Sequence, residues 1–179
     1  MRKSNRTLIL DSAFRVIGRD GVRAMTFESV AAESGLTKGG LQYHFPSREA
    51  LLAALHEWLT EQWTTALTGL LGAEPEAASR ADRLAAYVSS SSKAATRAEL
   101  LLLLETIDDP ELSGPWRELL ETWAPPPKPT DDDDTFDAFI VRLAADGLWL
   151  YEAMAAQPLS SALRRKITER IIAHARSRE

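Results

Sequence analysis

The chain has 179 residues, 45% of them hydrophobic and 26% charged, enough apolar material for one large domain or two small ones with a real core. It contains no cysteine, which excludes disulfides, thiolate metal sites and cysteine nucleophiles. No apolar run approaches the roughly 18 to 20 residues that a spanning helix needs, and the opening MRKSNRTLILDSAFRV moves from charge into an amphipathic pattern, so a cytoplasmic protein with no membrane partner is expected. The net charge of −5 is unevenly held: residues 1–50 carry eight Lys+Arg against five Asp+Glu, and residues 51–179 thirteen against twenty-one. A small basic head on a larger acidic body suits a module that contacts nucleic acid joined to something else.

Apolar residues recur at three and four positions nearly throughout, which predicts an all-α protein. NRTLILDSAFRVIGRDG places Leu8, Ile9, Ala13, Phe14 and Ile17 on one stripe and stops near Gly21. In TFESVAAESG, Thr26 is the expected N-cap and Gly35 the stop; in TKGGLQYHF, Thr37 caps a helix of two turns that ends before Pro46. Ser47 then caps a long helix whose apolar positions Leu51, Leu55, Trp58, Leu59, Trp63, Leu67 and Leu70 run to about Gly72. Further helices are predicted at about 75–91, 94–107, 110–123, 131–156 and 160–176, about nine in all, with APPPKPT as a stiff linker.

The first three helices have the lengths and short turns of a helix-turn-helix module, with residues 26–34 supporting and 37–44 recognising. In LTKGGLQYHFPSREAL two glycines weaken the recognition helix, at about 1 kcal/mol each relative to alanine. Their missing Cβ, at Gly39 above all, would let the main chain approach a phosphate that the helix N-terminus attracts.

Residues 9–55, ILDSAFRVIGRDGVRAMTFESVAAESGLTKGGLQYHFPSREALLAAL, resemble the DNA-binding region of the TetR family of bacterial transcriptional regulators. The resemblance is carried by Gly21, Thr26, Val30, Ala31, Gly35, Gly39, Leu41, His44, Phe45, Ser47, Arg48, Glu49 and Leu51. It implies phosphate or sugar contacts from Thr26, Thr37, Tyr43, His44 and Arg48, and base-edge contacts from Lys38 and Gln42. Lys suits guanine O6/N7, and Gln can pair twice with adenine N6/N7. Gly40 and Gln42 depart from the family's usual residues, a departure that bears on which bases are read. Leu41 and Phe45 are read as core. His44 either touches the backbone of DNA or caps its own helix.

The same resemblance divides the chain into a DNA-binding head, residues 1–50, and a ligand-binding and dimerisation body, residues 51–179. It implies that the last two helices pair with those of a second subunit. Dimer residues are then expected at Gly147, Leu150, Tyr151, Met154, Leu163, Ile167 and Ile171, with Gly147 permitting close approach of helices, either between subunits or within one chain. A helix-turn-helix head independently calls for two-fold symmetry, since half-sites lie roughly 34–36 Å apart. Among Trp58, Trp63, Tyr87, Trp116, Trp123 and Trp149, each either core or cavity lining, Trp63, Tyr87 and Trp116 are the candidates for an effector pocket. Leu103, from the run ELLLLLE that should be the most buried in the chain, joins them.

Other clusters have simpler readings. Asp146 follows Arg142 by four residues and should form an ion pair along the helix. The run Asp131 to Asp134 suits a helix N-terminus better than a metal. His56 and His174 are expected at the surface. Nothing resembles a Ser/His/Asp constellation or a phosphate-cradling glycine loop, so neither an enzyme nor a cofactor is expected. The reading is a homodimeric repressor on a palindromic operator in double-stranded DNA, released by a small, largely apolar effector not yet identified. The alternatives are a helical ligand-binding or scaffolding protein with a DNA-incompetent head, and a ligand-dependent activator.

Overall fold

The computed structural model describes residues 4–91, 96–155 and 157–176. Among them are nine α-helices, two short 3-10 turns and no strand. The chain divides into two compact units, residues 1–61 with 96–115, and residues 62–95 with 116–179.

In the first unit, helix α1 (Asn5–Asp20) starts on Ser4, whose side chain accepts from the Thr7 N–H, and buries Ile9, Leu10, Ala13, Val16 and Ile17. It ends at Gly21, whose φ of 90° is open to glycine and strained for other residues. After a 3-10 turn (Val22–Ala24), α2 (Phe27–Ser34) begins with a reciprocal capping box between Thr26 and Ser29 and ends on left-handed Gly35. The short α3 (Lys38–His44) follows, capped by Thr37. Arg15 and Arg19 of α1 both reach Glu33 of α2, at 2.7 and 2.9 Å. These two guanidinium contacts, Arg19 foremost, hold the Glu33 carboxyl below its ordinary value. Leu41 and Phe45 are buried, as their place on the apolar stripe predicted.

Helix α4 (Arg48–Leu71) opens in the first unit, with Ser47 Oγ accepting the Ala50 N–H, and ends in the second. Its residues Leu51, Leu55 and Leu59 are buried, and Trp58 meets Phe14 edge-on at 5.4 Å. Helix α6 (Arg97–Glu105), which begins with a Thr96–Glu99 capping box, packs on α1. The run ELLLLLE is not the most buried in the chain: only Leu102 is buried, and Leu104 is 55% exposed. Consecutive residues of one helix face every direction, so five leucines in a row cannot share a core. His56 also departs from expectation. It is buried, with Nε2 lacking a hydrogen-bond partner, and burial lowers its pKa.

In the second unit, the helix expected over 75–91 is two elements, a 3-10 turn at Pro75–Ala77 and α5 (Arg80–Ser91). Ser79 caps α5 by accepting the Asp82 N–H, and Arg83 donates to the Pro75 and Ala78 carbonyls, which holds the break. Helix α7 (Pro110–Trp123) crosses the boundary between units at Pro115. Helices α8 (Asp133–Met154) and α9 (Ser161–Arg176) pack on α5 and on each other. Asp132 caps α8 through the Thr135 N–H, and Asp131 accepts the Lys128 N–H, so two of the four clustered carboxylates serve the backbone. Glu152 of α8, 3% exposed at its side chain, takes Arg164 of α9 at 2.7 Å.

Candidate functional site

The short helix α3 answers the question its sequence raises. Thr37 Oγ1 accepts the Gly40 N–H at 3.1 Å, and a Cβ on Gly40 would lie 3.3 Å from that oxygen, only a weak local reason for glycine, since Ser29 holds the same place over Thr26. Gly39 has none within the chain, since a Cβ there would meet nothing within 4 Å. Tyr43 is 86% exposed and Gln42 is also exposed, whereas Leu41 and Phe45 on the opposite side are buried. His44 lies between, half-buried and edge-on to Tyr43 at 5.3 Å. Helical periodicity thus separates one anchoring face from one presented face within seven residues.

The cations of this region are engaged in different ways. Lys38 Nζ lies 2.5 Å from Glu28 Oε1, both side chains exposed, and this contact holds the Glu28 carboxyl below its ordinary value. Arg6 stands over the Phe45 ring at 5.3 Å. Arg48, expected at a phosphate by resemblance, donates from Nε to the Met25 carbonyl at 3.0 Å and from Nη2 to the Val22 carbonyl at 2.9 Å. Thr26 and Thr37 are helix caps with exposed side chains.

Within the second unit, Trp63 brings two of the pocket candidates together. Its ring meets Trp116 at 5.4 Å, nearly perpendicular, and Tyr87 at 6.3 Å. Tyr87 is buried and donates its hydroxyl to Asp146 Oδ1 at 2.6 Å. Burial first, then the Asp146 charge, raises the Tyr87 pKa, so its proton stays on the donor side. Asp146 Oδ2 receives Arg142 Nε at 3.3 Å, the ion pair expected from the spacing, and Arg142 Nη1 donates to the Ala124 carbonyl at 2.6 Å. The rings therefore end in a neutral polar network of hydroxyl, carboxylate and guanidinium. Sequence reading missed the Tyr87–Asp146 bond, which spans 59 residues. Leu103 belongs to the first unit. Two clefts lie elsewhere in the second unit, one of about 80 Å³ among α5, α8 and α9 and one of about 210 Å³ between α8 and α9, and none of the four residues lines either.

Helix α8 presents an uncovered apolar stripe. Phe136, Ile140, Leu143, Leu150 and Met154 are 39 to 66% exposed, and with exposed Gly147 they advance in alternating steps of four and three. That spacing keeps one line of side chains facing a partner helix. Tyr151 stands exposed beside it, and Leu163 is exposed on α9, with Ile167 and Ile171 half-buried. A Cβ on Gly147 would meet nothing within 4 Å, so close packing within the chain does not account for this glycine.

Comparison with known proteins agrees with this architecture. The family described as bacterial regulatory proteins, tetR family, matches residues 9–55, and the family described as tetracyclin repressor-like, C-terminal domain, matches residues 81–176. No curated protein matches the chain. Among solved structures, a regulator from Saccharomonospora viridis in complex with choline is 20% identical, with a TM-score of 0.69 over 94% of this chain and 95% of that one. A transcriptional regulator from Rhodococcus sp. Rha1 is 17% identical, with a TM-score of 0.66 over 96% and 94%. The multidrug binding protein EbrR, complexed with malachite green, is 20% identical, with a TM-score of 0.61 over 94% and 98%. These likenesses establish a shared fold, and the two family matches together account for most of the sequence. The chain belongs to the TetR family of transcriptional regulators, which bind DNA and are not enzymes.

Proposed function

We propose that the protein is a cytoplasmic homodimeric repressor that binds a palindromic operator and leaves it when a small, largely apolar effector binds. Residues 1–50 serve as the DNA-binding head and residues 51–179 as the effector-binding and dimerisation body. The observation that carries this reading is the stripe on α8, five large apolar side chains that with Gly147 keep coiled-coil spacing and are left 39 to 66% exposed by the described residues. A second copy covers such a stripe by two-fold symmetry, with Gly147, Leu150, Tyr151 and Met154 of α8 meeting Leu163, Ile167 and Ile171 of α9. The same symmetry supplies two copies of α3, as paired half-sites require.

On DNA, Lys38 and Gln42 read base edges, Thr26, Thr37, Tyr43 and His44 hold phosphates and sugars, and Gly39 lets the main chain close in. Lys38 exchanges Glu28 for DNA on binding, an exchange between exposed partners that costs little. The effector sits against Trp63, Tyr87 and Trp116. It releases DNA only to the extent that it binds the DNA-incompetent arrangement more tightly, as linkage demands. Solved relatives in complex with choline and malachite green support a body that admits small organic molecules.

Light scattering on the parent and on an Ile140→Glu, Leu143→Glu variant tests the assembly. The parent is expected at twice the chain mass and the variant at the chain mass, with loss of tight DNA binding at equal concentration. A variant that remains dimeric and bound contradicts the assignment of the stripe.

A further inference from the structure

Two arginines from outside the three-helix module converge on one short segment of it. Arg97, the first residue of α6, donates Nη1 to the Gly18 carbonyl at 2.8 Å and to the Arg19 carbonyl at 3.3 Å. Both carbonyls lie in the last turn of α1, where helix geometry leaves them without a helical partner. Arg48, the first residue of α4, donates to the carbonyls of Val22 and Met25. The segment from Gly18 to Met25 is thus gripped from both sides, and it is the segment that leads into α2 and α3. Contact between the helices reinforces the grip. A Cβ on Gly18 would come 3.3 Å from that of Ala98, so α1 and α6 touch at their crossing, and Ala98 is buried.

The residue type matters at both places. A guanidinium offers several N–H donors in a fixed plane and can serve two carbonyls at once, which a single ammonium does not reproduce. Each arginine also stands at the start of its helix, where the Thr96–Glu99 box and the Ser47 cap fix the first turn. A rotation or shift of α4 or α6 therefore reaches the segment through four hydrogen bonds, with little slack in between.

We infer that Arg48 and Arg97 form a clasp on residues 18–25 through which α4 and α6 set the orientation of the recognition helix, Arg48 acting as a positioning residue and not as a phosphate contact. The inference rests on the DNA-binding reading above for its purpose, but not for its geometry.

Two readouts on the full chain separate these. Amide hydrogen exchange over residues 18–35 reports the clasp itself. Binding to a mixed-sequence DNA duplex between about 50 and 200 mM salt reports phosphate contacts, because each lost contact lowers the slope of log affinity against log salt by about one ion. In Arg48→Ala and in Arg97→Ala, exchange of the 22–30 amides is expected to accelerate about tenfold or more, and duplex affinity to fall with the salt slope unchanged. Arg48→Lys keeps the charge and is expected to accelerate exchange as well. If either alanine variant fails to fold by circular dichroism, Arg48→Lys and Arg97→Lys carry the same readouts. Exchange unchanged in the variants, or a slope reduced by about one ion per head in Arg48→Ala, overturns the clasp. A parent that binds no duplex at low salt overturns the DNA-binding reading instead, and exchange alone then decides whether the clasp exists.

Discussion

The helices of the head start and stop on signals a few residues apart, whereas the packing of the second unit's helices, like the grip of Arg48 and Arg97 on the head, rests on polar contacts between distant residues. Ser4, Thr26 and Thr37 each accept an N–H three positions on, and Gly21 and Gly35 turn the chain with positive φ. In the second unit, Tyr87 meets Asp146, Arg80 Nη1 donates to Thr135 Oγ1, Arg142 reaches the Ala124 carbonyl, and buried Glu152 holds Arg164. The difference teaches where each region is vulnerable. Local caps are many, partly exposed and individually modest, while a buried charged partner, once removed, leaves its mate uncompensated.

The contrast predicts a ranking of substitutions. Glu152→Ala should have the largest effect, a loss of about 3 kcal/mol in urea unfolding, because Arg164 then keeps its charge in a mostly buried place. The exposed Arg165–Glu169 pair of α9 provides the control, and Glu169→Ala should leave stability unchanged. A small loss for Glu152→Ala would show that water reaches Arg164 and would weaken the comparison. Tyr87→Phe comes next, at about 1 to 2 kcal/mol, since Asp146 loses a short hydrogen bond but keeps Arg142. Thr26→Ala should cost about 1 kcal/mol, and Thr26→Ser should restore most of it by keeping the cap. Calorimetric melting of the pair measures both.

The smallest effect is one of pH. His56 is buried and its pKa is lowered from 6.5, chiefly by burial and against the pull of the Asp109 charge. The unfolded chain therefore takes up a proton as pH falls below 6.5 while the folded chain does not. Stability should decline with falling pH from there until the folded pKa is reached, with no contribution at neutral pH. Urea midpoints between about pH 5 and 7.5 should show this decline in the parent and less of it in His56→Leu. Equal slopes in the two proteins would mean that His56 is protonated as readily folded as unfolded.

What the sequence made legible follows the same division. The helices of the head were readable to within a residue, because Thr26, Gly35, Thr37 and Pro46 mark them locally and the capping chemistry is short-ranged. The pairing of Arg142 with Asp146 was readable for the same reason, a separation of four on one helix. Tyr87–Asp146 and Glu152–Arg164 were not, since no local pattern says which helices become neighbours. The ELLLLLE run misled because hydrophobicity without periodicity does not specify a buried face. His56 misled because its burial depends on its surroundings and not on its flanks. Arg48 shows a subtler limit. The motif places a cation at the start of α4, but whether that cation faces outward or clasps the Val22–Met25 turn depends on carbonyls 23 and 26 residues away.

The central claim, that α3 is a sequence-reading helix in a two-fold assembly, is tested most directly by selecting bound fragments from random and genomic DNA with the purified protein, beside a Tyr43→Ala, Gln42→Ala control. The account predicts enrichment of one palindrome by the parent, with half-sites about one helical turn apart, and none by the control. Failure of the effector-free parent to enrich any sequence, even at low salt where backbone contacts are strongest, would contradict it.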